Sequence, residues 1–245
     1  MNVYISGGSR GIGREIALRF ARDGAKRIAI GYFRSDRAAE ETAEELRVLG
    51  AEPTLVRGNV GSERVLEEVA ALGPLDVLVH NAASGVSVPA LEASAKHWDW
   101  TLNTNARALL QLAQVAAPQM PDGSSIVAIS SLGAQRVLEN YTLVGTSKAA
   151  LEALVRYLAV ELAPRVRVNA VSGGVVDTDA LEHFPNREEM LAAGAANPAG
   201  RMVTPDDIAS AVAFLCSPEA DMVRGQTLIV DGGFSLLVGG GRTQA

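Results

Sequence analysis

The chain has 245 residues, 48% of them hydrophobic and only 4% aromatic, with a formal net charge of −6; this suffices for one α/β domain with a full core and argues against a general nucleic-acid binder. A single cysteine, Cys216, excludes an intramolecular disulfide and a multi-cysteine metal centre, and the three histidines, His80, His97 and His183, lack ligand spacing, so no metal is expected. No stretch has the length and apolarity of a membrane span, and no basic start leads into a long apolar run, so a cytoplasmic protein without a membrane partner is expected.

Short apolar runs alternate with helical patterns from the start of the chain, which predicts a parallel sheet with helices on both faces. Strands are read at Val3–Ile5, Arg27–Gly31, Pro53–Arg57, Asp76–His80, Ser125–Ile129, Val166–Val171 and Thr227–Val230. The helices between them are Ile12–Asp23, Arg37–Leu49, a segment capped by Ser62 that runs to Leu72, His97–Ala117, and Tyr141–Leu162 closed by Pro164. A last helix, Pro205–Leu215, has Thr204 as cap, proline at its first position and acids in its first turn. The segment 177–201 is the most loop-like insert. In a doubly wound sheet it follows a strand's carboxyl end, where ligands bind. It is expected to form a mobile, alanine-rich cover over the substrate. Residues 1–238 read as one domain, and residues 239–245 as a flexible tail.

The first strand runs through S-G-G-S-R-G-I-G into a helix, with Gly7, Gly11 and Gly13 spaced for a tight turn and close backbone approach to a pyrophosphate. At the end of the second strand an NAD-preferring site carries an acid for the ribose hydroxyls. This chain has Gly31-Tyr32-Phe33-Arg34-Ser35 there, with no acid until Asp36. Arg10 and Arg34 together suit a 2′-phosphate, so NADPH is favoured, the alternative being two solvated arginines.

Tyr141 stands seven residues before Lys148, while the position four before the lysine is Val144. A tyrosine four before a lysine, on a helix beside a nucleotide-binding sheet, is the usual device for carbonyl reduction. On a helix, seven steps return to nearly the same face as four do, and the phenol's root moves about 4.5 Å along the axis. That displacement suits an α,β-unsaturated thioester. Hydride goes to its β carbon, while negative charge gathers on the thioester oxygen at the far end of the conjugated system. The alternative is that Tyr141 is a packing residue.

The segments S-G-G-S-R-G-I-G, G-N-V at 58–60, H-N-A-A at 80–83, I-S-S at 129–131, S-K-A-A, V-N-A-V at 168–171 and G-Q-T-L-I-V-D-G-G resemble the short-chain dehydrogenase/reductase family over essentially the whole length. The resemblance implies a single-domain, Rossmann-like, doubly wound α/β fold with a seven-stranded parallel sheet, and a homotetramer. Asn59 replaces the family's usual aspartate near the adenine, His80 the first asparagine of N-N-A-G, Ala83 its glycine, Gly173 the usual proline after the sixth strand, and Val144 the tyrosine. The run from Ser130 to Leu162 is similar to the enoyl-acyl-carrier-protein reductase branch, whose signature is tyrosine, six residues, lysine, and within it to the NADPH-using type III enzymes.

The resemblance implies that Tyr141 donates to the thioester oxygen, Lys148 holds the nicotinamide ribose, and Ser131 bonds substrate or Tyr141. It places Gly7, Ser9, Arg10, Gly11, Ile12, Gly13, Arg34, Asn59, Val60, Asn81, Lys148, Gly174 and Thr178 around the cofactor, with a turn-capping role as the rival for Thr178. Asn105 matches a helix asparagine that can relay protons through water, the alternative being a kink residue satisfied by backbone. His97, Trp98 and Trp100 are expected to pack the helix or a subunit interface. The substrate expected is an enoyl thioester on acyl-carrier protein or coenzyme A. A specialised-metabolism enoyl reductase, a 3-oxoacyl or carbonyl reductase, and a non-catalytic NADPH-sensing or scaffold protein are the rival readings.

Overall fold

A computed structural model describes residues 1–178 and 187–237. The seven strands are β1 (Asn2–Ser6), β2 (Arg27–Tyr32), β3 (Glu52–Arg57), β4 (Val77–His80), β5 (Ser124–Ser131), β6 (Val166–Gly173) and β7 (Thr227–Val230). They form one sheet in the order β3-β2-β1-β4-β5-β6-β7, and every pairing is parallel. The expected strands are all present, most extended by a residue or two. The order reverses between β1 and β4, and open α/β sheets bind ligands at such a point, outside the strands' carboxyl ends.

Alternation along the strands feeds two cores. Tyr4, Leu78, Ile126 and Ala128 face one side, with Leu109, Leu112 and Leu151. Val3, Ile5, Val77, Val79, Val127 and Ile129 face the other, with Ile16, Ile28, Ile30, Val212 and Leu215. Both faces of the central strands are buried, so they read as continuous apolar runs. Each fully buried aliphatic side chain contributes about 1.5–3 kcal/mol.

The helices are α1 (Gly11–Arg22), α2 (Asp36–Val48), α3 (Glu63–Ala71), α4 (Ala95–Leu102), α5 (Ala108–Ala116), α6 (Thr142–Glu161), α7 (Arg187–Ala195) and α8 (Pro205–Cys216). Thr204 caps α8 in a full capping box with Asp207, as its sequence signals. Ser62 precedes α3 but does not cap it; its hydroxyl donates to the Asn59 carbonyl at 2.8 Å. Within the 177–201 insert, α7 and the turn after it are described. There the buried Asn197 side chain donates to the Gly194 and Arg201 carbonyls at 2.8 and 2.7 Å. The rest of the expected cover, residues 179–186, and the expected tail lie outside the described residues. Among the described residues no helix is long and apolar enough to cross a membrane.

The helix expected over His97–Ala117 is α4 and α5 joined by a π-helical turn, Asn103–Arg107. This turn carries Asn105, which is fully buried. Its side-chain oxygen accepts from the Ser84 N–H at 2.8 Å, and its amide nitrogen donates to the Ser84 carbonyl at 2.9 Å and Ser147 Oγ at 2.8 Å. The Asn105 carbonyl lies 3.1 Å from His80 Nε2, and His80 Nδ1 lies 3.0 Å from Ser6 Oγ. A carbonyl can only accept, so Nε2 carries the proton and Nδ1 accepts from the Ser6 hydroxyl. Ser6 Oγ in turn accepts the N–H groups of Asn81 and Ala82 at 3.1 and 3.0 Å. The chain of bonds thus runs in one direction and ties β1, β4 and the π-turn together around a neutral imidazole.

Burial, with the positive charge of Lys148 adding to it, pushes the His80 pKa from 6.5 down to about 4 against the weaker pull of the Asn105 and Thr104 carbonyls. The folded value lies below the unfolded one. The unfolded chain therefore binds more protons in this window, and stability that is fully present above pH 6.5 is lost as pH falls toward 4. The amount is about 3 kcal/mol. Urea unfolding at pH 7 and pH 4.5 should show a distinctly smaller loss for His80→Gln than for the wild type; equal losses would remove His80 as the source.

Candidate functional site

The carboxyl ends of β1 to β6 bring the sequence-predicted residues to one end of the sheet's strands. Beyond β1, Gly7 and Gly11 have φ of 68° and 55°, a region that a Cβ penalises. Gly13 sits against the Gly7 carbonyl so closely that a Cβ would overlap it. Asn81 Nδ2 donates to that same carbonyl at 2.9 Å and fixes the loop to the end of β4. Ser9 is buried, and its carbonyl accepts from Thr42 Oγ1 at 3.0 Å. Ile12 packs on the core between the sheet and α1. Arg10 gives α1 no side-chain cap and no acid stands in its first turn, an arrangement suited to an anion at the helix start. Thr178 lies over this loop, its methyl 3.4 Å from where a Cβ on Gly11 would stand.

At the end of β2, Arg34 is exposed, with its guanidinium 5.1 Å from the centroid of the Phe33 ring. The first acid beyond it, Asp36, is paired with Arg57 at 3.2 Å. After β3, Val60 is buried and Asn59 Oδ1 accepts from the Gly61 N–H at 3.2 Å, so Asn59 braces its own turn. The Gly174 N–H donates to the Val230 carbonyl at 2.9 Å and ties the end of β6 to β7. The glycine cradle, the uncapped helix start and the engaged Asp36 fit a dinucleotide with a 2′-phosphate.

The second half of the site is built on β5 and α6. Ser131 ends β5, and its Oγ lies 3.3 Å from the Tyr141 hydroxyl and accepts from the Gly133 N–H at 3.3 Å. Tyr141 is not inside α6, as the spacing had suggested, but caps it, with φ −106° and ψ 12°. The preceding Asn140 turns the chain with φ 54°, a conformation asparagine tolerates, and the first helical bond runs from the Gly145 N–H to the Tyr141 carbonyl at 2.7 Å. The helical-face argument therefore applies to Val144 and Lys148, while the phenol enters from the cap. Its ring lies on Gly133, where a Cβ would come within 2.5 Å of two ring carbons. Burial raises the Tyr141 pKa above the ordinary phenol value, opposed by the Ser131 bond, so the hydroxyl keeps its proton at neutral pH.

Lys148 is buried, and its Nζ donates to the Ile129 carbonyl at 2.7 Å. Burial lowers its pKa to about 8, with Glu152 acting in the opposite direction. Val144 is also buried and closes against Gly85, where a Cβ would overlap its methyl group. An aliphatic side chain thus occupies the place four before the lysine. Trp98 and Trp100, expected in packing, are each 43% exposed.

Three features of this region were not anticipated from sequence. Glu152, buried on α6, bonds Ser130 and Gln135; its place four residues after Lys148 was the available signal. Gly133 is needed for the tyrosine ring, and nothing in its sequence context marks that. His80 was visible only as a departure from an asparagine.

A protein-family model described as "Enoyl-(Acyl carrier protein) reductase" matches residues 7–235. The chain is 39% identical over 242 residues to the 1-cyclohexenylcarbonyl-CoA reductase of Streptomyces collinus, covering 95% of this chain and 86% of that protein. It is 35% identical over 239 residues to the 7alpha-hydroxysteroid dehydrogenase of Escherichia coli, covering 94% and 92%. Among solved structures it is similar to a short chain dehydrogenase from Burkholderia cenocepacia in complex with NADP. That match has a TM-score of 0.87 and 33% identity, covering 95% of this chain and 96% of that one. A further match is BdcA in complex with NADPH, with a TM-score of 0.84 and 35% identity, covering 95% and 93%. With the parallel sheet, the glycine loop and the Ser131, Tyr141 and Lys148 cluster, these matches show that the chain belongs to the short-chain dehydrogenase/reductase family, close to its enoyl-acyl-carrier-protein reductase type.

Proposed function

We propose that this protein reduces the carbon–carbon double bond of a trans-2-enoyl thioester, carried on acyl-carrier protein or coenzyme A, with NADPH as reductant. The observation that carries this reading is the placement of the site's phenol. Tyr141 reaches Ser131 from the cap of α6, while the position that serves a carbonyl oxygen holds the aliphatic Val144. NADPH supplies the hydride that the β carbon receives. Tyr141, protonated at neutral pH, donates a hydrogen bond to the thioester oxygen as negative charge gathers there, and the enolate's α carbon then takes one proton from water to complete the saturated product. Ser131 holds the phenol in line. Lys148, fixed by one N–H on the Ile129 carbonyl, has two N–H groups for the ribose hydroxyls and sets a positive potential beside them.

The preference for NADPH rests on Arg10 and Arg34 and on the pairing of Asp36 with Arg57, and similar structures were solved with NADP or NADPH. The name of the Streptomyces collinus relative, a cyclohexenylcarbonyl-CoA reductase, supports an unsaturated thioester and favours coenzyme A as carrier. The acyl-carrier protein named in the family model's description is compatible with a role in fatty-acid synthesis; a cytoplasmic homotetramer is part of the proposal on the family resemblance alone. The steroid dehydrogenase relative supports a second reading, carbonyl reduction; Val144 opposes it.

Oxidation of NADPH should proceed with crotonyl and longer enoyl thioesters and not with acetoacetyl thioester; turnover of the carbonyl substrate alone would overturn the proposal. Tyr141→Phe should lower enoyl turnover at least 100-fold, the scale of a lost proton donor, with NADPH affinity nearly unchanged. Full activity in that variant would remove the tyrosine's role. Arg34→Ala should weaken NADPH about tenfold, a loss of about 1.4 kcal/mol, and leave NADH unaffected; an unchanged NADPH affinity would remove the cofactor argument.

A further inference from the structure

Glu152 is 4% exposed, a burial that a carboxylate tolerates only with donors around it. One oxygen accepts from Ser130 Oγ at 2.7 Å and the other from Gln135 Nε2 at 2.9 Å. Both donors belong to the segment that carries the candidate site. Ser130 lies between Ile129, whose carbonyl holds Lys148, and Ser131, whose hydroxyl meets Tyr141. Gln135 follows the turn Leu132–Ala134, which contains Gly133, the platform of the Tyr141 ring. One carboxylate on α6 therefore clamps the end of β5 and the turn beyond it. It also stands one helical turn from Lys148, on the face the lysine shares.

We propose that Glu152 is a positioning residue for this site: it braces the Ser131–Tyr141 segment and supplies the negative charge that keeps the buried Lys148 ammonium protonated. The role rests on the reading of Lys148 and Tyr141 given above, yet the charge part can be tested without any acyl substrate. Among the described residues, His80 acts on Lys148 and Tyr141 meets Ser131 beside the clamp, and neither supplies that charge. His80, from β4, is neutral, and the Tyr141 phenol keeps its proton. Burial alone pulls the lysine toward its neutral form, and Glu152 resists that pull. The bracing part acts through two hydrogen bonds to an ionised acceptor, stronger than neutral ones.

The chain contains only three lysines, Lys26, Lys96 and Lys148, so carbon-13 labelling of lysine gives three side-chain signals that can be followed by NMR from pH 6 to 11 in the full-length protein. Lys148 should titrate near pH 8 in the wild type, identified by its loss in Lys148→Met. In Glu152→Gln its midpoint should fall by about one pH unit or more, while circular dichroism stays that of the wild type. Gln135 is exposed, so Gln135→Lys gives a folded second variant. Its new ammonium neutralises Glu152, and the Lys148 midpoint should fall in the same direction, whereas Gln135→Leu should leave it in place. In the Gln135→Leu variant the expected loss is in enoyl kcat, severalfold, with KM for NADPH unchanged. A Lys148 midpoint that stays put in Glu152→Gln, or in Gln135→Lys should the first variant not fold, overturns the charge role. Wild-type kcat in Gln135→Leu overturns the bracing role. Absence of enoyl turnover in the wild type would count against the proposed reaction and not against this assignment.

Discussion

An aromatic ring lying on a glycine is the contact around which this site is arranged. Gly133 offers a flat patch of backbone just past β5, and the Tyr141 ring takes up the space that a methyl group would fill. That contact, with the left-handed turn at Asn140, sets the direction in which the phenol leaves the chain. The hydroxyl then meets Ser131, the last residue of the strand the glycine follows. The β5 end, its turn and the cap of α6 thus form a closed loop of contacts. The position of the phenol is a property of that loop more than of helical spacing.

The same region contains two buried polar systems that are solved in different ways. Around His80, each hydrogen bond has a single possible direction, so a neutral imidazole satisfies them all and no charge has to be desolvated. Around Lys148, a charge is buried and must be compensated, and a carbonyl at 2.7 Å does part of this. The two systems are coupled, because the lysine's charge helps keep His80 neutral. A protonated His80 would set two like charges against each other in a low-dielectric interior. His80 is compatible with the buried lysine because Ser6 and the Asn105 carbonyl fix its neutral tautomer.

Much of the fold was legible because it depends on local period and composition. Val3, Tyr4 and Ile5 alternate between two buried faces, and Thr204 followed by Pro205 and two acids fixes the start of α8 to the residue. The glycine loop was legible for the same reason: Gly7 and Gly11 need conformations that few other residues adopt. What was not legible depended on contacts between distant segments. Ser62 reads as a cap, but its hydroxyl turns back to Asn59. The helical pattern around Tyr141 runs on smoothly in sequence, and only the left-handed Asn140 stops it one residue short. The π-turn at Asn103–Arg107 has no local signature, because it is held by Ser84 and Ser147, 21 and 42 residues away from Asn105.

Val144 shows how α6 keeps its packing one turn before Lys148 while the phenol lies at the helix cap. Its place on α6, one turn before Lys148, is buried and closed by Gly85 from the β4 side. That backbone segment is in turn tied to the Asn105 side chain through Ser84. The packing around this place is therefore distributed over the segment after β4, the π-turn and α6. Moving the phenol to the cap leaves all of that packing intact and delivers the hydroxyl from another direction. Position 144 is thus packed into the whole β4–α4 connection, whereas the Tyr141 side is governed by one short turn and the glycine within it.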